Sequence, residues 1–163
     1  MTLFRIASNA LNWVFLRLAI LLLGIMTISC ILQIVTRLLG SSLTWTEELA
    51  RYCFIWVNML GATVLVKNGG HAVIDILSKR FTGHLKTVNL LIIYLLIFFS
   101  GIVLLHQGGI LTYAVRNQTS MALGIPMSIV YSAGPLCGFG LCVHTLQMAS
   151  DLLFPSRTPA GGC

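Results

Sequence analysis

Half of the acidic residues in this chain stand side by side, at the head of the segment TWTEELARYCFIWVNMLGA (residues 44–62). Arg51 follows Glu47 by four positions and Glu48 by three, so on a helix its guanidinium can pair with either carboxylate. Thr44 and Glu47 have the spacing of a capping box, in which a hydroxyl and a later carboxylate bind the first free amides of a helix. The chemistry predicted for this segment is therefore capping and ion pairing at a helix start.

The remaining reactive side chains form no catalytic pattern. His106 and His144 lie in separate apolar runs, and two such histidines could ligate haem, although packing and hydrogen bonding are commoner roles for single membrane histidines. The five cysteines show no metal-site spacing and are interpreted as small apolar residues. No carboxylate falls in the middle of an apolar run, and the sequence contains no phosphate loop or nucleophile–base pair. We predict no enzymatic activity, no cofactor and no metal site.

The elements that position these residues are predicted to be membrane helices. Only 9% of the residues are charged and the mean hydropathy is +0.93, whereas soluble domains carry about 25% charged residues. A membrane-spanning helix needs about 20 mainly apolar residues, and four segments meet that length. The predicted fold is an all-α integral membrane protein with four transmembrane helices and short interfacial segments. It forms one domain over residues 1–163, with helices at about 11–36, 46–67, 87–113 and 126–153.

The basic residues predict the orientation of these helices in the membrane. With four spans, seven of the Lys and Arg residues fall on one side of the membrane and three on the other. The seven are Arg5, Arg17, Lys67, Lys79, Arg80, Lys86 and Arg157, and the three are Arg37, Arg51 and Arg116. Because cytoplasmic loops are enriched in Lys and Arg, both termini are predicted to be cytoplasmic. No basic patch with interleaved aromatics indicates nucleic acid.

The longest connection, residues 67–87, is predicted to leave the membrane after helix two. The Gly69-Gly70 pair is expected to end that helix, because glycine is favoured just past helix C-termini. Apolar and charged residues then alternate in a way that favours a short interfacial helix. Within it, His71 and Asp75 stand four residues apart and could pair.

Helix two is predicted to carry a face that meets protein. Glu47, Arg51, Asn58, Gly61 and Ala62 fall roughly on one side of the helix. An asparagine facing lipid there would be left unsatisfied, and small residues let another helix approach closely. The face could pack on the other helices of this chain or on a partner subunit, and the sequence leaves both open.

Two further features concern the ends and the packing of the helices. Trp45 is expected at headgroup level, like other interfacial tryptophans, and is a further candidate for the subunit or helix packing face. Gly134 and Gly138 form a GxxxG pattern in the fourth span, which marks a second candidate face for helix or subunit packing. Pro135 lies between them and should kink the helix.

Three segments resemble the small membrane subunit (DctQ type) of tripartite ATP-independent periplasmic, or TRAP, transporters. WTEELARYCFIWVNMLGA resembles the family's Trp-x-Glu-Glu-x-x-Arg segment at the head of a helix with Trp and Gly-Ala. GGHAVIDIL resembles its His-x-x-Val-Asp-x-Leu segment, and GIPMSIVYSAGPLCGFGL resembles its Ile-Pro…Tyr…Pro segment. The likeness covers about residues 13–153, and Met127-Ser128 departs from an expected aromatic near the proline.

This resemblance implies an accessory role in solute uptake. In such transporters a periplasmic binding protein delivers the substrate, often an organic acid, to a large membrane subunit. The large subunit holds the substrate and sodium sites and moves by an elevator-like motion. The small subunit binds the large one and enlarges its static scaffold. The implied location is the bacterial inner membrane, with phospholipids as further partners and the large subunit as a separate chain.

A different class of function remains open from the residues alone. The chain could be a free-standing four-helix membrane protein, either a small exporter or a two-histidine membrane cytochrome. An exporter is expected to carry a carboxylate in the middle of the membrane, and a cytochrome is expected to bring His106 and His144 to one haem.

Overall fold

The computed structural model describes residues 2–41, 43–78 and 84–153, with side chains described for residues 6–41, 43–68 and 88–150. The described chain is almost entirely helical. Its elements are α1 (Thr2–Leu38), α2 (Thr44–Ser78), α3 (His84–Ala114), α4 (Met127–Tyr131) and α5 (Ala133–Leu153).

Four stretches of these helices are long and apolar enough to cross a membrane. They are Ile6–Leu38, Thr44–Asn68, Val88–Ala114 and Met127–Ser150, the last made of α4 and α5 together. The predicted all-α fold with four spanning helices is confirmed.

The helices pack as two pairs that α5 joins. α1 lies along α2, α3 lies along α5, and α5 also contacts α2. Phe15, Leu60 and Val64 form the buried centre of the α1–α2 contact. Gly140 brings α5 against this centre, since a Cβ there would lie 2.7 Å from Cε2 of Phe15. Both pairs therefore form one bundle.

The second helix is longer than its sequence predicted. α2 continues through the Gly69-Gly70 pair to Ser78, so the segment expected to form a separate interfacial helix is part of α2. Each glycine costs a helix only about 1 kcal/mol relative to alanine. A cost of that size weakens a helix without ending it. α1 likewise begins at Thr2 rather than near residue 11.

The fourth span is interrupted one turn before its proline. α4 ends at Tyr131, and the backbone amide of Leu136 resumes the helical pattern with a 3.2 Å bond to the carbonyl of Ser132. Pro135 has no amide proton to donate to the carbonyl of Tyr131, four residues earlier. The missing bond accounts for the break between α4 and α5.

The sidedness of the bundle is a prediction that reporter fusions test. Fusions after Gly40 and Gln118 should report the periplasm, and fusions after Arg80 and at the C-terminus should report the cytoplasm, because seven basic residues lie on that side. Alkaline phosphatase and green fluorescent protein fusions at the same positions give opposite readouts and so control each other. A periplasmic C-terminus would refute the orientation.

Candidate functional site at the start of α2

Glu48 is the centre of a hydrogen-bond cluster that ties α2 to the connection between α3 and α4. Its Oε2 accepts hydrogen bonds from the backbone amides of Ala122 and Leu123, both at 3.0 Å, and from Oγ of Ser120 at 3.2 Å. Its Oε1 accepts a hydrogen bond from the Tyr52 hydroxyl at 2.5 Å. These four donors and the carboxylate are called the Glu48 cluster below. Glu48 therefore binds the loop and does not pair with Arg51.

The loop that Glu48 holds is closed on itself by backbone hydrogen bonds. The amide of Ser120 donates to the carbonyl of Ile125 at 2.9 Å, and the amide of Met127 donates to the carbonyl of Gln118 at 2.8 Å. Gly124 makes the reversal possible with a φ of +65°, a conformation that side chains with a Cβ rarely adopt. Two adjacent amides in this turn point at one carboxylate oxygen and fix the loop against α2.

Met127 also belongs to this contact. Its Sδ lies 3.5 Å from the Tyr52 hydroxyl, so the position at which the family pattern led us to expect an aromatic packs onto the Glu48 cluster. The side chain joins the head of the fourth span to α2.

Glu47 and Arg51 lie on the surface beside the Glu48 cluster. Nη2 of Arg51 is 3.2 Å from Oε1 of Glu47, and the two side chains are 67% and 61% exposed. The i, i+4 spacing brings them together, and so exposed a pair contributes little to the stability of the chain by itself. The two adjacent glutamates therefore differ in role, one bound within the chain and one presented outward.

At the first turn of α2 the structure shows a hydrogen bond from Thr46. This side chain is fully buried, and its Oγ1 donates to the carbonyl of Leu43 at 2.7 Å. Thr44 is exposed, and its capping box with Glu47 stays a prediction. Trp45 is 39% exposed at the same level, next to the loop end of the bundle.

The face that carries Arg51 and Asn58 is open in this chain. Arg51, Phe54, Asn58, Ala62 and Leu65 are all exposed, and with Glu47 and Gly61 they are called the open α2 face below. Apart from the backbone of its own helix, no described atom would lie within 4 Å of a Cβ added at Gly61. The sequence left two possibilities for this face, packing on the other helices of this chain or on a partner subunit. The described helices of this chain do not cover the face.

The side-chain amide of Asn58 on this face is only partly hydrogen-bonded. Its Nδ2 donates to the carbonyl of Phe54 at 2.8 Å, one turn earlier on the same helix. No donor among the described residues contacts its amide oxygen. An exposed amide in a membrane span is unfavourable unless another polar group pairs with it, so the face is a candidate contact for another protein.

Gly134 and Gly138 lie on a different, internal face. A Cβ at Gly138 would be 2.6 Å from the carbonyl oxygen of Gly101 and 2.6 Å from the amide nitrogen of Leu105. A Cβ at Gly134 would lie 3.8 Å from Cα of Gly108. These glycines bring α5 into backbone contact with α3, and they use the small-residue pattern inside the chain.

The two membrane histidines are not arranged for a shared haem. Gly108 contacts Pro135 and Gly101 contacts Gly138, so His106 on α3 is level with about residue 135 of α5. His144 is nine residues further along α5, which is about 13 Å at 1.5 Å per residue. It is fully buried, whereas His106 is exposed. No group of three potential metal ligands occurs among the described residues, and His71 and Asp75 lie outside the described side chains.

Comparison with known proteins decides which family this bundle belongs to. Residues 26–154 match the family model described as tripartite ATP-independent periplasmic transporters, DctQ component. The chain belongs to the DctQ family. The resemblance found in the sequence is confirmed, and so is the absence of an enzymatic role, because DctQ proteins are transporter subunits. With its four apolar helices, this DctQ chain is a multi-pass membrane protein.

Curated relatives match the chain over about two thirds of its length. The C4-dicarboxylate TRAP transporter small permease protein DctQ of Rhodobacter capsulatus is 32% identical over 116 residues, 70% of this chain and 51% of that protein. The isethionate TRAP transporter permease protein DctMQ of Oleidesulfovibrio alaskensis is 32% identical over 111 residues, 66% of this chain. The sialic acid TRAP transporter permease protein SiaT of Haemophilus influenzae is 33% identical over 119 residues, 72% of this chain.

These matches cover only part of each relative. The chain spans about half the length of the Rhodobacter capsulatus protein. It spans 17% of DctMQ and 19% of SiaT, so both of those permeases carry a long additional part beside the DctQ-like segment.

Proposed function

We propose that this DctQ chain is the small membrane subunit of a sodium-coupled TRAP transporter for uptake of an organic acid. It binds a large membrane subunit in the bacterial inner membrane and enlarges the static scaffold of that subunit. The large subunit carries substrate by an elevator-type motion, and a periplasmic binding protein delivers the substrate. We assign the substrate and sodium sites to the large subunit.

The open α2 face carries this proposal. A chain that worked alone in lipid would gain nothing from an outward asparagine and an exposed ion pair on a spanning helix. A second protein helix could approach closely at Gly61 and Ala62 and pair with the free amide oxygen of Asn58. The Glu48 cluster keeps its own carboxylate occupied and leaves Glu47 and Arg51 for the partner.

The longer relatives support the identity of that partner. The DctQ-like segment makes up less than a fifth of DctMQ and SiaT, and we infer that their additional part corresponds to the large membrane subunit. Both parts in one polypeptide would guarantee their contact. The names of these relatives refer to C4-dicarboxylate, isethionate and sialic acid, all of them organic acids or their anions, which supports an organic acid as the substrate class here.

Reconstitution tests the accessory role directly. The chain alone in proteoliposomes should accumulate no organic acid under a sodium gradient, since no carboxylate lies in the middle of its spans. Uptake should appear when the large subunit and the binding protein are added and should stop when the sodium gradient is collapsed. Gradient-driven uptake by the chain alone would overturn the proposal, and vesicles with the large subunit alone provide the matched control.

A further inference from the structure

A second polar cluster joins three helices at the end of the bundle opposite the Glu48 cluster. Nζ of Lys67 on α2 donates to Oγ of Ser8 on α1 at 2.8 Å. Oγ of Ser8 lies 2.7 Å from Nδ1 of His144 on α5. Ser8 and His144 are both fully buried, whereas Lys67 is half-buried. The three side chains form a line from the interior to the surface.

The ammonium group of Lys67 fixes the direction of the hydrogen bonds among these three side chains. Lys67 can only donate, so Ser8 accepts from it and gives its own hydroxyl proton to Nδ1 of His144. His144 then carries its proton on Nε2, where no partner lies among the described residues. The cluster is therefore neutral apart from the charge of Lys67, and that ammonium keeps two N–H donors that the described side chains do not use.

The charge of Lys67 has no counter-ion among the described side chains. Glu47 and Glu48 are the two acidic residues with described side chains. Both lie at the other end of α2 and have partners of their own. The two remaining acidic residues, Asp75 and Asp151, lie outside the described side chains, eight positions after Lys67 and seven after His144. A half-buried cation with free N–H donors is stabilised when an anion pairs with it.

The depth of Lys67 indicates which anion is available. It is the penultimate residue of the span Thr44–Asn68. Trp45 lies 22 residues earlier in the sequence, which corresponds to about 33 Å of helix. The hydrocarbon core of a bilayer is about 30 Å thick. If Trp45 lies at one headgroup layer, as the sequence predicts, this length of helix places the ammonium at the phosphates of the other.

We propose that Lys67 binds the phosphate of an anionic phospholipid in the leaflet at this end of the bundle. Ser8 and His144 anchor the ammonium against α1 and α5, so one lipid headgroup contacts the three-helix junction at a fixed place. The remaining N–H donors of Lys67 are available to a lipid phosphate, and anionic lipids attract basic side chains near the membrane surface.

Lipid titration of the full chain in detergent, followed by native mass spectrometry, tests this site. Wild-type protein should bind phosphatidylglycerol more tightly than phosphatidylcholine. Lys67→Gln should lower the affinity for phosphatidylglycerol by about fivefold and leave phosphatidylcholine unchanged, while Lys67→Arg keeps the charge and the preference. Arg51→Gln removes the same charge from a side chain already paired with Glu47, and it should have no effect on either lipid.

Three outcomes would overturn the lipid site. An unchanged phosphatidylglycerol preference in a folded Lys67→Gln protein would remove its basis. Competition by glycerol 3-phosphate as effective as phosphatidylglycerol would show a site for a free anion. Loss of the co-expressed large subunit from Lys67→Gln, with lipid preference intact, would assign the anion to a partner carboxylate. Melting temperatures of Lys67→Gln and Lys67→Arg distinguish a folding defect from a loss of binding.

Discussion

Replacing Glu48 by alanine should release the loop between α3 and α4 from α2, whereas the same change at Glu47 should leave the loop in place. The Glu48 carboxylate accepts four hydrogen bonds, and three of them come from residues 72 to 75 positions away. Hydrogen bonds to a charged acceptor are among the stronger ones, and donors left without an acceptor lose their hydrogen-bond energy. Glu47 pairs with Arg51 on its own helix, in an exposed ion pair, and the structure shows no bond from it to the described residues of the loop.

Hydrogen exchange measures this release. The amides of Ala122 and Leu123 should exchange at least about tenfold faster in Glu48→Ala than in wild type, and the melting temperature should fall. Glu48→Gln retains one carbonyl acceptor and should give an intermediate rate. Glu47→Ala is the matched control, with wild-type exchange at both amides. Unchanged protection in Glu48→Ala would mean that the loop is held by its own backbone bonds alone.

Gly61→Leu should weaken binding of the large subunit while leaving the isolated chain folded. A Cβ at Gly61 would have free space among the described residues that surround its helix, and removing a glycine from a helix interior favours the helix by up to about 1 kcal/mol. In the complex, the same side chain would intrude between two closely packed helices. Overpacking costs about 1–3 kcal/mol, which corresponds to roughly a 5- to 150-fold loss of affinity.

Gly138→Ala provides the opposite case within the same chain. Its Cβ would lie 2.6 Å from backbone atoms of Gly101 and Leu105, so α3 and α5 must move apart and the chain itself should lose stability. Thermal unfolding in detergent and co-purification of the tagged large subunit separate the two effects. A destabilised Gly61→Leu chain, or one that still binds the large subunit at wild-type levels, would contradict the open α2 face as the contact.

The spans and the family could be predicted from sequence because their signals are local. Mean hydropathy over about 20 residues indicates a membrane helix whatever the tertiary packing of the rest of the chain. The pairing of Arg51 with Glu47 also follows from a spacing of four on one helix. The sequence alone did not show whether Glu47 or Glu48 is the ion-pair partner of Arg51. In the structure the partner is Glu47, because the Glu48 carboxylate is bound by the loop.

The Glu48 cluster and the Lys67 line could not be predicted because their partners are distant in the chain. Ser8 and His144 are 136 positions apart, and only the packing of α1 against α5 brings them together. The length of α2 was missed for another reason, since each of the two glycines weakens a helix by only about 1 kcal/mol and need not end it. The exposure of Asn58 likewise depends on where the neighbouring helices lie.

Site-specific photo-crosslinking in membranes tests most directly whether the open α2 face is the contact with the large subunit. A photoreactive residue at Asn58 or Ala62 should give a cross-linked product with the co-expressed large subunit. The same residue at Leu96 or Phe99, which are 60% and 64% exposed on α3, should react with lipid and give none. Cross-links from the α3 positions with none from the α2 positions would contradict the account.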